Sequence, residues 1–395
     1  MTNSLNGDHR KMATGNMKAM WALLLTVTVV TAVAPSAAAG QFKKPVYYQL
    51  NDTLDRVISA DFTNDGNLDL TVAGFFSGQV AVLLGRGNGT FHSAQYFSAP
   101  GAFALAAGDF NGDHNLDLAV VEYGGTGNSA LGIFLGDGKG NFRESATYTL
   151  GIESYSVAVA DFDGDGHLDV AVANGFGYGK QGQDGSLMVF LGRGDGTFKS
   201  PANYKLPNRP CAVATGDLNG DHYPDIVVAE CNSDSAAVLM NDGHGKFKRT
   251  HTYGVGAGPN DVVIQDLGNG TLDLVLSDPA GGSVAVLLGN GDGTFGKATL
   301  YSTLPLGAGN PFLVVVGDFN RDGNPDIAVA IANGKSGIAI LYGDGDGTFQ
   351  SPIFVAHPTG ALAGLALGDF NKDGAPDLAV SAAAPNHVAV LINTQ

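Results

Sequence analysis

The residues best suited to chemistry are the aspartates of a short recurring turn. In its fullest form it reads Asp161-Phe162-Asp163-Gly164-Asp165-Gly166-His167-Leu168-Asp169. Oxygen side chains at positions 1, 3, 5 and 9, with a backbone carbonyl at position 7, make an all-oxygen donor set suited to Ca²⁺, which takes roughly six to eight such ligands. Gly166 at position 6 permits the sharp bend. Packed together without a cation, these carboxylates would repel one another. Position 12 is Val172 and not Glu, so the loop is not an EF-hand; Asp169 is expected to close the site instead.

The pattern recurs along the chain. It is carried by Asp109, Asn111, Asp113 and Asp117; by Asp217, Asn219, Asp221 and Asp225; by Asp318, Asn320, Asp322 and Asp326; and by Asp369, Asn371, Asp373 and Asp377. The first copy has Thr63 at position 3 beside Asp61, Asp65 and Asp69. The carbonyl at position 7 would come from Asn67, Asn115, His167, Tyr223, Asn324 and Ala375. The fifth copy, Asp266 to Asp273, is one residue short and lacks an acid at position 5, so no tight ion is expected there. About six structural Ca²⁺ ions are expected in all. Asp, Asn and Gly are also ordinary turn formers, and one such loop would carry little weight; the register of six carries the expectation.

The elements that hold these turns follow from the repeat. First aspartates fall at Asp61, Asp109, Asp161, Asp217, Asp266, Asp318 and Asp369, about every 50 residues, a period that signals propellers, solenoids or arrays. Each unit reads as an apolar stretch, the Asp-rich turn, a second stretch such as Leu116-Asp-Leu-Ala-Val-Val, a third such as Leu131-Gly-Ile-Phe-Leu, a Gly-rich turn, and a last stretch with Tyr or Phe. These are too short for helices and are bounded by Gly, Asn and Asp. They predict four-stranded antiparallel blades. With Gly at 58 of 395 residues, long helices have little room.

The chain ends decide between a ring and an open array. The last unit stops at Val388-Ala-Val-Leu-Ile-Asn-Thr-Gln395, one strand short, and Gly40-Gln-Phe-Lys-Lys-Pro-Val-Tyr-Tyr48 matches the Gly-Thr-Phe turn and fourth strand of the other units. The expected fold is therefore all-β: a seven-bladed β-propeller over residues 40–395, closed by the N-terminal strand completing the last blade. The units resemble the FG-GAP, or VCBS-type, repeat of integrin α-subunit propellers and their bacterial secreted relatives, over residues 41–395. That resemblance implies structural Ca²⁺ in the Asp-rich hairpins and ligands elsewhere, on the opposite face or between blades.

Residues 1–39 read as a secretory signal peptide. Arg10, Lys11 and Lys18 precede an apolar run from Ala19 to Val33 and the small-residue stretch ending at Ala39. The mature chain would be secreted, periplasmic or on the cell surface, monomeric and without a membrane span. Its composition, 21 Lys+Arg against 38 Asp+Glu for a net charge of −17, argues against nucleic acid as a partner. Cys211 and Cys231 flank one Asp-rich hairpin symmetrically, which predicts a cross-strand disulfide in an exported protein. Strings such as Leu191-Gly-Arg-Gly-Asp-Gly-Thr-Phe198 join strand to strand without a following helix, and are hairpin turns and not nucleotide loops.

For a ligand site the sequence directs attention away from the Asp-rich turns. The longest connection on the other face, 174–186, carries Phe176, Tyr178, Lys180 and Asp184, with Tyr123 and Arg209 on neighbouring connections. The expected function is a binding or adhesion module for carbohydrate or an extracellular protein, with no catalytic role. The alternatives are a propeller-fold polysaccharide lyase or hydrolase, and a structural component of an envelope assembly.

Overall fold

The computed structural model describes residues 41–51, 54–124, 127–175, 185–206, 208–303, 309–332, 336–356 and 360–395. The expected signal peptide lies outside these residues, as do Phe176, Tyr178, Lys180 and Asp184. Among the described residues are 28 strands in seven sheets of four antiparallel strands each. Six blades run in chain order over 54–98, 102–152, 154–206, 210–254, 262–302 and 310–356. The seventh combines 362–391 with the strand at 46–49. No helix among the described residues is long and apolar enough to cross a membrane.

The third blade shows how sequence becomes blade. Its strands are Ser154–Ala160, Asp169–Asn174, Gly185–Phe190 and Ala202–Leu206, paired in register through Val159↔Val170, Val170↔Phe190 and Met188↔Asn203. The second strand is buried at every position because neighbouring blades cover both of its faces. That is why second strands read as unbroken Val, Ala and Leu runs, without the alternation of a sheet wetted on one side. The first strand of each blade packs against the first strands of both neighbours, the seventh returning to the first, so these strands surround the axis. The ring closes as expected, with Val46↔Val390 and Tyr48↔Val388 placing the N-terminal strand on the outer edge of the last blade.

Adjacent blades are joined by a repeated stitch. In five of the seven turns a Phe follows the first Asp, Leu218 and Leu267 replacing it in the fourth and fifth, and it packs against the Phe of the next blade's Gly-rich turn: Phe110 on Phe198 at 5.7 Å and Phe162 on Phe247 at 5.2 Å between centroids, both edge-on. Its carbonyl accepts a backbone N–H from that turn, Gly196 to Phe110 at 2.9 Å and Gly245 to Phe162 at 3.1 Å. A fourth-strand Tyr completes the contact; the Tyr148 hydroxyl accepts the Phe198 N–H at 2.8 Å. Tyr48, Tyr204 and Tyr253 do the same for Phe91, Phe247 and Phe295. At the seventh blade, where the turn is split between the two ends of the chain, the side-chain amides of Gln41 and Asn393 donate to the Phe319 carbonyl instead.

Candidate functional site

The Asp-rich turns lie on one face of the ring, between their own blade's Gly-rich turn and that of the next. Position 9 begins the second strand and is fully buried in every copy. In the third turn Asp169 Oδ2 accepts the Phe162 N–H at 2.7 Å and Oδ1 accepts the Gly192 N–H at 2.6 Å. The same clamp recurs at Asp69, Asp117, Asp225, Asp326 and Asp377, each tying position 2 to the end of the third strand. Position 1 holds the loop itself: Asp161 accepts the N–H groups of Gly164 and Gly166 at 2.8 and 2.9 Å. Burial raises each of the six position-9 carboxyls to about 6 against the pull of their N–H donors, and the aspartates at positions 1 and 5, or 1 and 3 in the third turn, add to the rise. Full ionisation is therefore costly there, and a bound cation would remove the cost.

The third turn fits a cation best. Oxygens of Asp161, Asp163 and Asp169 lie within 4.8 Å of one another, and among the described residues this is the one cluster of three Asp, Glu, His or Cys side chains at that spacing. Asp163 Oδ1 is buried there without a hydrogen-bond partner. Such an oxygen is costly unless something positive meets it. Asp165 faces outward, with Oδ1 accepting the His167 N–H, and Lys199 Nζ lies 3.3 Å from Asp163 Oδ2 and 3.9 Å from Asp165 Oδ2, leaving Asp163 Oδ1 to a cation.

The other turns are arranged differently. In four of them Asn replaces Asp at position 3 and its amide donates to the position-5 carboxylate, as Asn219 does to Asp221 at 2.9 Å and Asn111, Asn320 and Asn371 do to Asp113, Asp322 and Asp373. In the first turn Thr63 Oγ1 lies 3.4 Å from both Asp61 Oδ1 and Asp69 Oδ2. The short fifth turn satisfies itself, with Asn269 Nδ2 donating to Asp273 Oδ1 at 2.8 Å. The histidines His114 and His222 are solvated, their side chains 96% exposed. Of the position-7 residues, Tyr223 is exposed and Ala375 fully buried.

The opposite face carries a second site. A cavity of about 300 Å³ opens on the axis and receives side chains from all seven blades. One residue per blade, six positions before the first Asp of its turn, forms its ring: Asp55, Phe103, Tyr155, Cys211, Asn260, Phe312 and Ala363. Six of the seven sit at a register shift of the first strand, between 54 and 57, 102 and 104, 154 and 156, 210 and 212, 311 and 313, and 362 and 364. A β-bulge re-aims its extra residue out of the ladder, and here the repeated bulge builds a pocket.

Beside the ring, Arg56 of the first blade crosses to Asp261 of the fifth, Nη1 to Oδ1 at 3.4 Å. Asp261 Oδ2 also accepts the Val314 N–H at 3.1 Å. Burial raises the Asp261 carboxyl, and Arg56 opposes the rise. Arg209 lies over the Tyr155 ring at 4.6 Å and 3.5 Å from Glu153, which accepts the Tyr155 hydroxyl at 2.5 Å. Aromatic rings lead outward from the pocket: Tyr155 to Phe103 at 5.8 Å, Phe103 to Tyr123 at 6.0 Å, Tyr123 to Phe75 at 5.6 Å, and Phe75 to the exposed Phe76 at 4.8 Å. Cys211 and Cys231 form the expected disulfide, with Cα atoms 6.0 Å apart, and both line the cavity.

Of the residues expected near a ligand, Tyr123 and Arg209 do approach one another through Tyr155. Tyr155, Phe103, Glu153 and Phe75 were not singled out by the sequence reading. The signal that finds the ring is positional: the residue stands six before each repeat's first Asp, two before a Val or Leu that recurs in all seven copies, and itself varies from copy to copy.

A closed seven-bladed propeller with Asp-rich hairpins on one face and an axial pocket on the other defines the class. A model of the FG-GAP-like repeat matches residues 61–120, 121–172, 178–228, 267–329 and 318–380, and the chain belongs to that family. A search of curated proteins finds no match. Among solved structures, BBS1N, crystallised in complex with ARL6DN and soaked with lead, is similar at 13% identity, covering 90% of this chain and 98% of that one, with a TM-score of 0.60. A protein from Lactobacillus plantarum is similar at 14% identity over 87% of this chain and 95% of that one, TM-score 0.56. A functionally unknown protein from Desulfotomaculum acetoxidans is similar at 11% identity over 77% and 86%, TM-score 0.53. At these identities the likeness is one of fold.

Proposed function

We propose that this propeller is an exported, monomeric binding module, braced by Ca²⁺ in its Asp-rich hairpins, that engages carbohydrate or an extracellular protein through the face opposite those hairpins. The observation that carries the reading is the axial pocket with its arc of aromatic rings, a concave, mostly apolar site with a few convergent polar groups on a rigid scaffold. A glycan array and polysaccharide panel, screened with residues 40–395 in Ca²⁺ and in chelator, tests it. Binding without turnover is expected; turnover of any polysaccharide would favour an enzyme. The protein-binding arm draws on BBS1N, a propeller of this fold crystallised with ARL6DN, and partner capture independent of glycan would select it.

The calcium reading rests on the third turn, where three carboxylates converge around the unpartnered Asp163 Oδ1. Asp163→Ala should weaken one site and leave the ring closed, while exhaustive chelation should lower the melting temperature substantially. An unchanged melting temperature after confirmed ion removal would sink the structural role of calcium.

A further inference from the structure

The ring of seven residues around the axis has a composition that narrows the ligand. We propose that the axial cavity is a subsite for a single neutral pyranose ring, stacked on the wall formed by Phe103 and Tyr155 with its hydroxyls turned toward Asp55, Arg56 and Asn260. The proposal rests on reading this face as the ligand-binding face, and adds which chemistry the pocket accepts.

Three observations carry it. The volume, about 300 Å³, stands at the lower end of the roughly 300–1,000 Å³ range of small-molecule pockets, so it holds one or two rings and no folded partner or strand. Both guanidiniums that line the pocket are already paired, Arg56 with Asp261 and Arg209 with Glu153, and Asp55 lines it beside them. An anionic ligand would have to compete with Asp261 or Glu153 for those guanidiniums, and a cationic one would meet both of them. A neutral ligand meets neither penalty. The lining also demands two kinds of surface from one ligand. Phe103, Tyr155 and Phe312 present ring faces or edges, whereas Asp55 accepts, Arg56 donates and Asn260 does both. A pyranose has an apolar C–H face and a rim of hydroxyls that both donate and accept, and satisfies both demands at once.

The repeat supplies its own tolerated substitutions. Position 363 is Ala in the seventh blade, where the second and sixth blades have Phe103 and Phe312 at the equivalent point of the same bulge. Ala363→Phe therefore fills the pocket with a side chain that this backbone already carries elsewhere, and Phe103→Ala removes one stacking face by the reverse logic.

The test is saturation-transfer NMR and calorimetry on residues 40–395 with methyl hexopyranosides of glucose, galactose and mannose, and methyl glucuronide as the charged counterpart. Binding of at least one neutral glycoside is expected, weakened about tenfold or more by Ala363→Phe and by Phe103→Ala, with glucuronide weaker. Melting curves of both variants verify folding; if Phe103→Ala fails to fold, Ala363→Phe decides. Neutral-glycoside binding that survives a folded Ala363→Phe overturns the axial subsite and leaves the carbohydrate-binding module standing. Preference for glucuronide overturns the neutral-ligand assignment. If no glycoside binds, the subsite is overturned, and capture of a protein partner would show that the binding-module reading outlives it.

Discussion

Positions 4 and 6 of the six full-length Asp-rich turns all have positive φ, and each turn places at least one glycine there. Gly112 and Gly220 serve position 4 in the second and fourth turns, which leaves His114 and His222 at position 6 with φ of 68° and 72°. A non-glycine residue in that region carries strain, and the exposed His222 ring gains little packing in return. His222→Gly should stabilise the protein by about 0.5–1 kcal/mol, less than the full steric cost because glycine frees the unfolded chain; urea unfolding measures it. A second residue-scale effect lies outside the turns. Burial raises the Glu122 carboxyl to about 7, and the Glu144 charge adds to the shift. A carboxyl whose folded pKa exceeds its unfolded value contributes stability that is complete below 4.5 and is lost as pH rises through about 7. Glu122→Gln should thus match the parent in acid and exceed it above neutrality, by on the order of 1 kcal/mol after allowance for solvent screening. Equal stability at both pH values would contradict this.

The blade and its stitches set the next scale. The Tyr148 hydroxyl is the acceptor for the buried Phe198 N–H, across the boundary between the second and third blades. Tyr148→Phe keeps the ring but strands that donor, so it should cost about 1–3 kcal/mol. Tyr148→Phe in a melting experiment is the direct check, and hydrogen exchange at the Phe198 amide should rise with it. The residues of this stitch were visible in the sequence as a recurrent Tyr or Phe after each Gly-rich turn, but their partner was not. Tyr148 precedes Phe198 by a whole repeat, and nothing local in either segment specifies that the two meet.

At the scale of the molecule, closure depends on one short strand. Removing residues 41–49 would leave the edge at His387–Leu391 unpaired and delete Gln41, which binds the Phe319 carbonyl across the last blade boundary. The truncated chain should melt earlier and associate through the open edge, seen as oligomers by light scattering; a stable monomer with unchanged melting would show that the closure contributes little. The sequence by itself determined the blade count, the strands and the N-terminal closure. Each follows from a pattern repeated seven times, and repetition turns weak local signals into a register. It also determined the Cys211–Cys231 bridge, because both cysteines flank a single hairpin. Only the tertiary structure decided which carboxylates converge. The third turn is spelled with Asp at position 3 where four others have Asn, but that Asp161, Asp163 and Asp169 gather while Asp165 turns outward, and that each Asn amide ties its position-5 acid, are choices of side-chain direction that the spelling does not contain. The axial pocket, too, belongs to the tertiary level. Asp55, Phe103, Tyr155, Cys211, Asn260, Phe312 and Ala363 are scattered over about 300 residues of chain, and they form one ring because each bulge turns its residue toward an axis that exists only once the seven blades have closed around it.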